Sequence, residues 1–240
     1  MDILNEAKNK ILEIIKGKDL LDVPLSIKAR TLTPEEAIGK PERDDYPILK
    51  GKEVMIEADF LASKGQAFTD QPGNYNGSLN KILNLNLSSN FERAVFVASV
   101  NAVLKHLKLV KHTIHCKDEV PKICAENLVK NIEERFGNPK IAFIGLQPGM
   151  VEELSKKYKI RVLDLDVDNI GRNFNGTIIE DVSMTEEVLD WCDIILATGS
   201  TVVNSSYVNF LVGKPLILYG VTISGLSYLF DLDFYCQSED

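Results

Sequence analysis

The sequence predicts an α/β protein in two parts, a small α+β unit over residues 1–114 and a Rossmann-like, doubly wound parallel sheet over residues 115–240. Alternating strands beside amphipathic helices indicate the first part. In the second part, wholly apolar strands alternate with helices of about ten residues or more, which is typical of a parallel sheet covered on both faces. An apolar fraction of 45% over 240 residues provides for one large core or two modest ones.

In the first part, apolar residues recur at helical spacing over residues 2–16, and Gly17 ends this helix. Apolar and polar residues alternate over residues 23–30 and again over residues 54–60, which predicts two strands. Residues 33–52 are rich in proline, glycine and charge, so we expect a surface loop.

The stretch GQAFTDQPGNYNG over residues 65–77 ends in turn chemistry. Two helices are then expected, at residues 78–86 and 90–108. The second is almost wholly apolar between its ends, which predicts burial on most of its sides.

In the second part, helices and strands alternate without interruption. The start of one helix carries the capping-box pattern of Ser183 and Glu186. The predicted elements are a helix at 123–137, a strand at 140–146, a helix at 149–158, a strand at 159–166, a helix at 183–192, a strand at 193–198, a helix at 200–213 and a strand at 214–220.

Composition restricts the partners. The chain carries 27 basic and 35 acidic residues, and its net charge of −8 provides no electrostatic attraction to nucleic acid, so we expect no nucleic-acid partner. Apolar runs are too short for a membrane span, and the N-terminus has no apolar leader segment. Four cysteines without CxxC spacing indicate reduced thiols. We therefore expect a cytoplasmic protein without a membrane partner. The apolar C-terminal residues are either core or the face of a homo-oligomer: Leu229, Phe230, Phe234 and Tyr235.

Ligands of an open parallel sheet bind beyond the carboxyl ends of its strands. That rule selects four stretches, which should lie along one edge of the sheet. Their candidate ligand-binding residues are Gly145 and Gln147 in the first, Asp164, Asp166 and Asn169 in the second, Thr198, Gly199, Ser200, Thr201 and Asn204 in the third, and Gly220 in the fourth.

The third stretch, ATGSTVVN, predicts an anion site. A helix beginning at Ser200 would present free backbone N–H groups and a positive dipole end, and Gly199 permits close approach. The alternative is that Ser200 is only an N-cap.

The first two stretches leave a nucleoside cofactor open. Gly145 and Asp164 are separated by nearly the spacing of a dinucleotide fingerprint, but GLQPGM lacks its glycines. An enzyme using S-adenosylmethionine or NAD is therefore a second hypothesis. The alternative is that the glycines only form a tight turn and that the aspartates are solvated. All three histidines lie away from the hydroxyl groups at the sheet edge, which argues against ordinary hydrolase chemistry. Whether the chain is an enzyme stays open.

A third hypothesis is a metal site at His112, His115 and Cys116, because imidazole and thiolate are the usual ligands of zinc and related ions. The spacing matches no standard motif, and a solvated basic linker is the favoured alternative.

Several strings resemble a known family. TGST followed by VN, together with CDIILA and LILYG-x-T, resembles the C-terminal half of the "putative heavy-metal chelation" family, domain of unknown function 364. GQAFTD and ASVNA resemble its N-terminal half, domain of unknown function 4213. The positions that match the family are Thr69, Asp70, Asn101, Ala102, Thr198 to Thr201, Asn204 and Gly220. The chain departs from the family where Val221 replaces a proline, and that loop loses rigidity.

The resemblance implies an enolase N-terminal-like α+β domain followed by a Rossmann-like domain, with a site in the cleft between them. It implies heavy-metal chelation linked to metal-cofactor or corrinoid metabolism. Our first hypothesis is therefore a cleft that binds an anionic small molecule or a metal chelate, with a transition metal as the candidate cofactor. Thr69, Asp70 and Asn101 would close this cleft from the first part.

Overall fold

The structure is a computed structural model that describes residues 3–23 and 27–237. It is a mixed α/β protein with one antiparallel sheet and one mostly parallel sheet, which confirms the predicted fold class at this level. The enolase N-terminal-like and Rossmann-like descriptions stay predictions. No described helix combines the length and apolarity that a membrane crossing requires.

The first part forms the antiparallel sheet. Its four strands lie in the order β3-β2-β1-β4. The elements are α1 (Ile3–Ile15), β1 (Ile27–Leu32), α2 (Pro34–Ile38), β2 (Val54–Phe60), β3 (Ser63–Thr69), β4 (Asn74–Gly77), α3 (Leu79–Leu83) and α4 (Asn90–His106).

The second part forms the seven-stranded sheet, whose order is β11-β10-β9-β5-β6-β8-β7. All of its pairs are parallel except that of β7 with β8. The elements are α5 (Val120–Phe136), β5 (Ile141–Ile144), α6 (Pro148–Ser155), β6 (Ile160–Asp164), β7 (Asn173–Phe174), β8 (Thr177–Asp181), α7 (Thr185–Trp191), β9 (Ile194–Thr198), α8 (Ser200–Val203), β10 (Leu216–Tyr219), α9 (Ser224–Phe230) and β11 (Phe234–Tyr235).

Three predictions in the first part need correction. The stretch at residues 65–77, for which the sequence indicated only turns at its end, contains most of β3, which pairs with β2, and all of β4, which pairs with β1. The loop at residues 33–52 contains α2, whose capping box joins Thr33 and Glu36. The strand predicted at 23–30 is described only from Ile27, where β1 begins, and Leu25 lies outside the described residues.

In the second part, the predicted capping box of Ser183 and Glu186 is wrong. A 3-10 turn precedes α7, and the Asp181 carboxylate accepts the Ser183 N–H at 2.8 Å. The strands β7 and β8 lie in a stretch for which the sequence predicted no element.

The long helix predicted at residues 200–213 is also wrong, because α8 ends after four residues. The Asn204 side chain accepts hydrogen bonds from the Ser206 N–H at 3.0 Å and the Ser206 hydroxyl at 2.7 Å. This local bonding competes with helix continuation, and Ser205 takes a left-handed φ of 64°.

Helix α4 is the wall shared by both sheets. It packs on β2 and β3 on one side and on α8 and α9 on the other. Every residue from Ala94 to Leu104 is buried, as its apolar sequence predicts. One continuous core therefore joins the first sheet to one face of the second. The C-terminal Leu229 and Tyr235 are buried too, which favours core over an exposed dimer face.

Candidate functional site

Two adjoining cavities lie between the sheets. The larger, which we call the outer cleft, has a volume of about 560 Å³, and the smaller, the inner cavity, about 100 Å³. Residues following β5, β6, β9 and β10 line them, as the strand-end rule predicts for an open parallel sheet. The residues that line both are Pro47, Glu53, Phe68, Gly145, Leu146, Thr198 and Ser200.

Most candidate residues border one of the two cavities. Gly145, Thr198 and Ser200 border both. Those in the outer cleft alone are Thr69, Asp70, Asp164, Asp166, Asn169, Thr201 and Asn204. Those in the inner cavity alone are Gln147, Gly220, His115 and Cys116. Gly199, Asn101 and His112 border neither.

Asn101 ties the two sheets together. Its amide nitrogen donates to the carbonyls of Gln66 at 3.0 Å and Val221 at 3.1 Å, and its oxygen accepts the Gly225 N–H at 2.7 Å. The amide is fully buried in α4. Asn101 therefore satisfies its buried amide by joining α4 to β3 and to the segment that follows β10.

The Thr198–Thr201 turn directs several donors back into the protein. The Gly199 N–H donates to the Tyr219 carbonyl at 2.9 Å, and the Thr201 hydroxyl donates to the Thr198 carbonyl at 2.7 Å. With only four helical residues, α8 also contributes little dipole. Both features weaken the predicted anion site.

Asp164 fixes the loops after β5 and β6. Its carboxylate accepts the N–H of Leu146 at 2.6 Å and that of Asp166 at 2.8 Å. It also accepts the side-chain amide of Asn169 at 3.2 Å. The carboxylate that would hold a ribose is thus already occupied by the protein, although it still lines the outer cleft.

Glu53 is the residue that the sequence reasoning missed. It lies just before β2, half-buried, where the outer cleft meets the inner cavity. Among the described residues its carboxyl has no hydrogen-bond or ion-pair partner. Burial, followed by the charges of Asp164, Asp166 and Asp70, raises its pKa to about 7. It lies between the predicted loop at residues 33–52 and the predicted strand at residues 54–60, with no motif around it.

Ion pairs hold the segment of residues 33–52 across the cleft. Lys52 contacts Asp168 at 2.5 Å and Asp166 at 3.4 Å. Arg43 pairs with Asp45 at 2.7 Å and also with Glu152 on α6. One wall of the cleft is therefore a segment that is fastened to the second sheet by charge.

The histidine-rich stretch is docked rather than solvated, contrary to the favoured alternative. The Gln66 side chain accepts the His115 N–H at 2.7 Å, and the His115 ring packs edge-on against Phe68. Within residues 3–23 and 27–237, no group of three or more His, Cys, Asp or Glu side chains is placed to hold a metal ion. The metal hypothesis for His112, His115 and Cys116 stays a prediction.

Together these features define a two-sheet α/β protein with an acidic cleft at the strand ends. Residues 127–235 match the model of the family described as "Putative heavy-metal chelation", domain of unknown function 364. This confirms the resemblance of the C-terminal half. The resemblance of the N-terminal half to domain of unknown function 4213 stays a prediction.

Two solved structures, each described as from domain of unknown function 364, are similar to this fold over most of its length. One, from Pyrococcus horikoshii, has a TM-score of 0.52 at 16% identity and covers 92% of this chain and 79% of its own. Another, from Desulfitobacterium hafniense DCB-2, has a TM-score of 0.55 at 13% identity and covers 95% and 82%. Both are described as having unknown function, and at such identities they support the fold alone. No curated protein matches the chain.

Proposed function

We propose that the chain binds a positively charged metal chelate, a metal ion held by a small organic molecule, in the outer cleft. The observation that carries this proposal is the unpartnered carboxyl of Glu53, which faces a cleft bordered by Asp70, Asp164 and Asp166. A cleft lined by charge of one sign attracts ligands of the other.

The same charges support one of the two ligand classes expected from the sequence, the metal chelate, over the other, a small anion. An anion in the outer cleft would be repelled by these carboxylates, and Lys52, the nearby cation, is already paired with Asp166 and Asp168. A cationic complex would be attracted. The carboxylates therefore favour the chelate over a simple anion.

A chelate also supplies the metal ligands that the protein lacks among its described residues. A bare transition ion takes three or four protein donors, and no such group is present among the residues that the structure describes. An organic chelator supplies those donors itself. The protein would then recognise the charge and shape of the complex.

Two complexes of one metal test the proposal. We expect the cationic ethylenediamine complex of Ni²⁺, which has no apolar ring, to bind in calorimetric titration, and the anionic citrate complex to bind at least about tenfold more weakly, a difference of about 1.4 kcal/mol. Glu53→Gln should weaken binding of the cationic complex by a similar factor, because it removes charge without changing shape.

The matched control is Glu134→Gln, an exposed carboxylate on α5 outside both cavities, which should bind like the parent chain. Equal binding of the two complexes, or full binding by Glu53→Gln, would contradict the proposal. Native mass spectrometry of protein purified without added chelator should show an extra mass that contains a metal. A metal-free anion in its place would favour the other class.

A further inference from the structure

The inner cavity differs in chemistry from the outer cleft. Its wall is mainly apolar, and three of the four cysteines line it: Cys116, Cys124 and Cys236. Burial raises the pKa of Cys116 to about 12 and that of Cys124 to about 11, so these thiols are neutral at pH 7. A neutral thiol behaves as a small apolar group.

Apart from Glu53, three polar side chains on this wall direct hydrogen-bonding atoms into the protein. The Tyr235 hydroxyl donates to the Cys124 carbonyl at 2.7 Å, and the Tyr219 hydroxyl donates to the Gly145 carbonyl at 2.9 Å. The Thr222 hydroxyl accepts the Phe68 N–H at 3.0 Å. Among the described residues, no buried side-chain polar atom lacks a partner. The wall therefore offers water few anchoring groups.

Glu53 stands at the junction of the two spaces, since it lines both. Ligand pockets commonly combine an apolar lining with a few polar groups that fix orientation. Here the apolar lining of the inner cavity and the charged group lie next to each other, because Glu53 stands where the inner cavity adjoins the outer cleft.

We propose that the inner cavity binds an apolar arm of the ligand, a planar ring of about six carbon atoms, while the charged part lies in the outer cleft. This inference rests on the proposed function and narrows its ligand to chelates with an apolar ring. The inner cavity, at about 100 Å³, is smaller than the apolar cavity of about 150 Å³ that is known to take up benzene, so one ring would fill it and reach into the adjoining outer cleft.

Benzene alone tests the inner cavity without the charged part. At tenfold its dissociation constant, it should raise the Tm by about 3 °C or more. Cys116→Phe should abolish the rise, because the added ring fills the cavity that Cys116 lines. The matched control, Leu211→Phe, adds a ring at a residue that is 56% exposed, and should retain the rise.

Cysteine alkylation in the unaltered chain gives a second readout that needs no variant. At pH 9, benzene at tenfold its dissociation constant should slow iodoacetamide labelling of Cys116 roughly tenfold by mass action. Labelling of Cys116 in the urea-unfolded chain, where the cavity is absent, should not change with benzene. Peptide mass spectrometry measures both rates.

The absence of both a Tm rise and Cys116 protection would overturn this inference. Failure of the two proposals is distinguishable. Benzene binding without preference for the cationic nickel complex supports the inner cavity and removes the proposed function. A preference for the cationic complex without benzene binding removes the inner subsite alone.

Discussion

Single residues set the electrostatics of the cleft, and Glu53 has the largest effect. Its carboxyl faces three other acidic side chains without a partner of its own among the described residues. Burial and these like charges favour its protonated form. An incoming cation would restore the charged form, so binding should release a proton near neutral pH.

Glu53 should make stability depend on pH. Its pKa rises from the ordinary 4.5 to about 7 on folding, so the folded state holds the proton more tightly. Below pH 4.5 the carboxyl is mostly protonated in both the folded and the unfolded state, so the raised pKa does not lower the free energy of unfolding. As the pH rises to 7, stability falls by an amount of the order of 3 kcal/mol and then levels off. Glu53→Gln should therefore match the parent chain at pH 4 and exceed it in stability at pH 8.

Urea unfolding at these two values measures the difference. Glu134→Gln, which changes an exposed carboxylate, serves as the control and should show the same difference from the parent at both. A Glu53→Gln chain no more stable than the parent at pH 8 would mean that the carboxyl is well solvated.

The sequence predicted individual residues unevenly. The strand-end rule placed Gly145, Asp166 and Thr198 at the cavities, because parallel strands all finish at one edge. Glu53 comes from the other sheet, at the start of a strand. Its position depends on how the two sheets pack, which no local pattern in the sequence encodes.

At the scale of elements, the contact of β3 with α4 depends on Gly65. A Cβ atom at this position would lie 2.4 Å from the Ala102 nitrogen and the Ala98 oxygen, both backbone atoms of α4. Neither can move without displacing the helix. The strand and helix approach so closely because one of them carries no side chain at the crossing.

Gly65→Ala should therefore destabilise the chain by about 1–3 kcal/mol or more through overpacking. Ser63→Ala on the same strand is the control, since Ser63 is half-buried, and it should change stability little. Chemical denaturation of both variants measures the effect. If Gly65→Ala unfolds at the parent's midpoint, α4 does not approach β3 as closely as described.

The sequence predicted the elements with strong hydrophobic periodicity and missed those that depend on pairing with another strand. Helix α4 follows from its own apolar run. Strand β3 depends on a two-residue turn in which Leu61 and Ala62 have φ values of 50° and 66°. Such turns usually carry Asn-Gly, so this hairpin has no signal in the sequence.

At the scale of the whole molecule, the two sheets share one core across α4. The sequence indicated two parts with a boundary at residue 115, because its periodicity changes there. It could not show that the two parts bury apolar surface against the same helix, since that depends on long-range packing. The boundary stays a prediction.

We expect the two parts to unfold together. The apolar surface of α4 is buried by β2 and β3 on one side and by α8 and α9 on the other, so losing either side should expose the shared core. Native-state hydrogen exchange in low urea compares the amides of β2 with those of β9. Both should open with the same free energy, as one cooperative unit does. Protection of β9 that persists after β2 has exchanged would instead establish two independent domains.

The shared wall also limits how such a chain can diverge over evolutionary time. A substitution in α4 has to suit β3 on one side and α9 on the other. The segment at residues 33–52 lies outside this wall, borders both cavities through Pro47, and pairs with the second part of the chain through Arg43 and Lys52. New ligand preferences should therefore arise by change in this segment, while the framework beneath it stays the same.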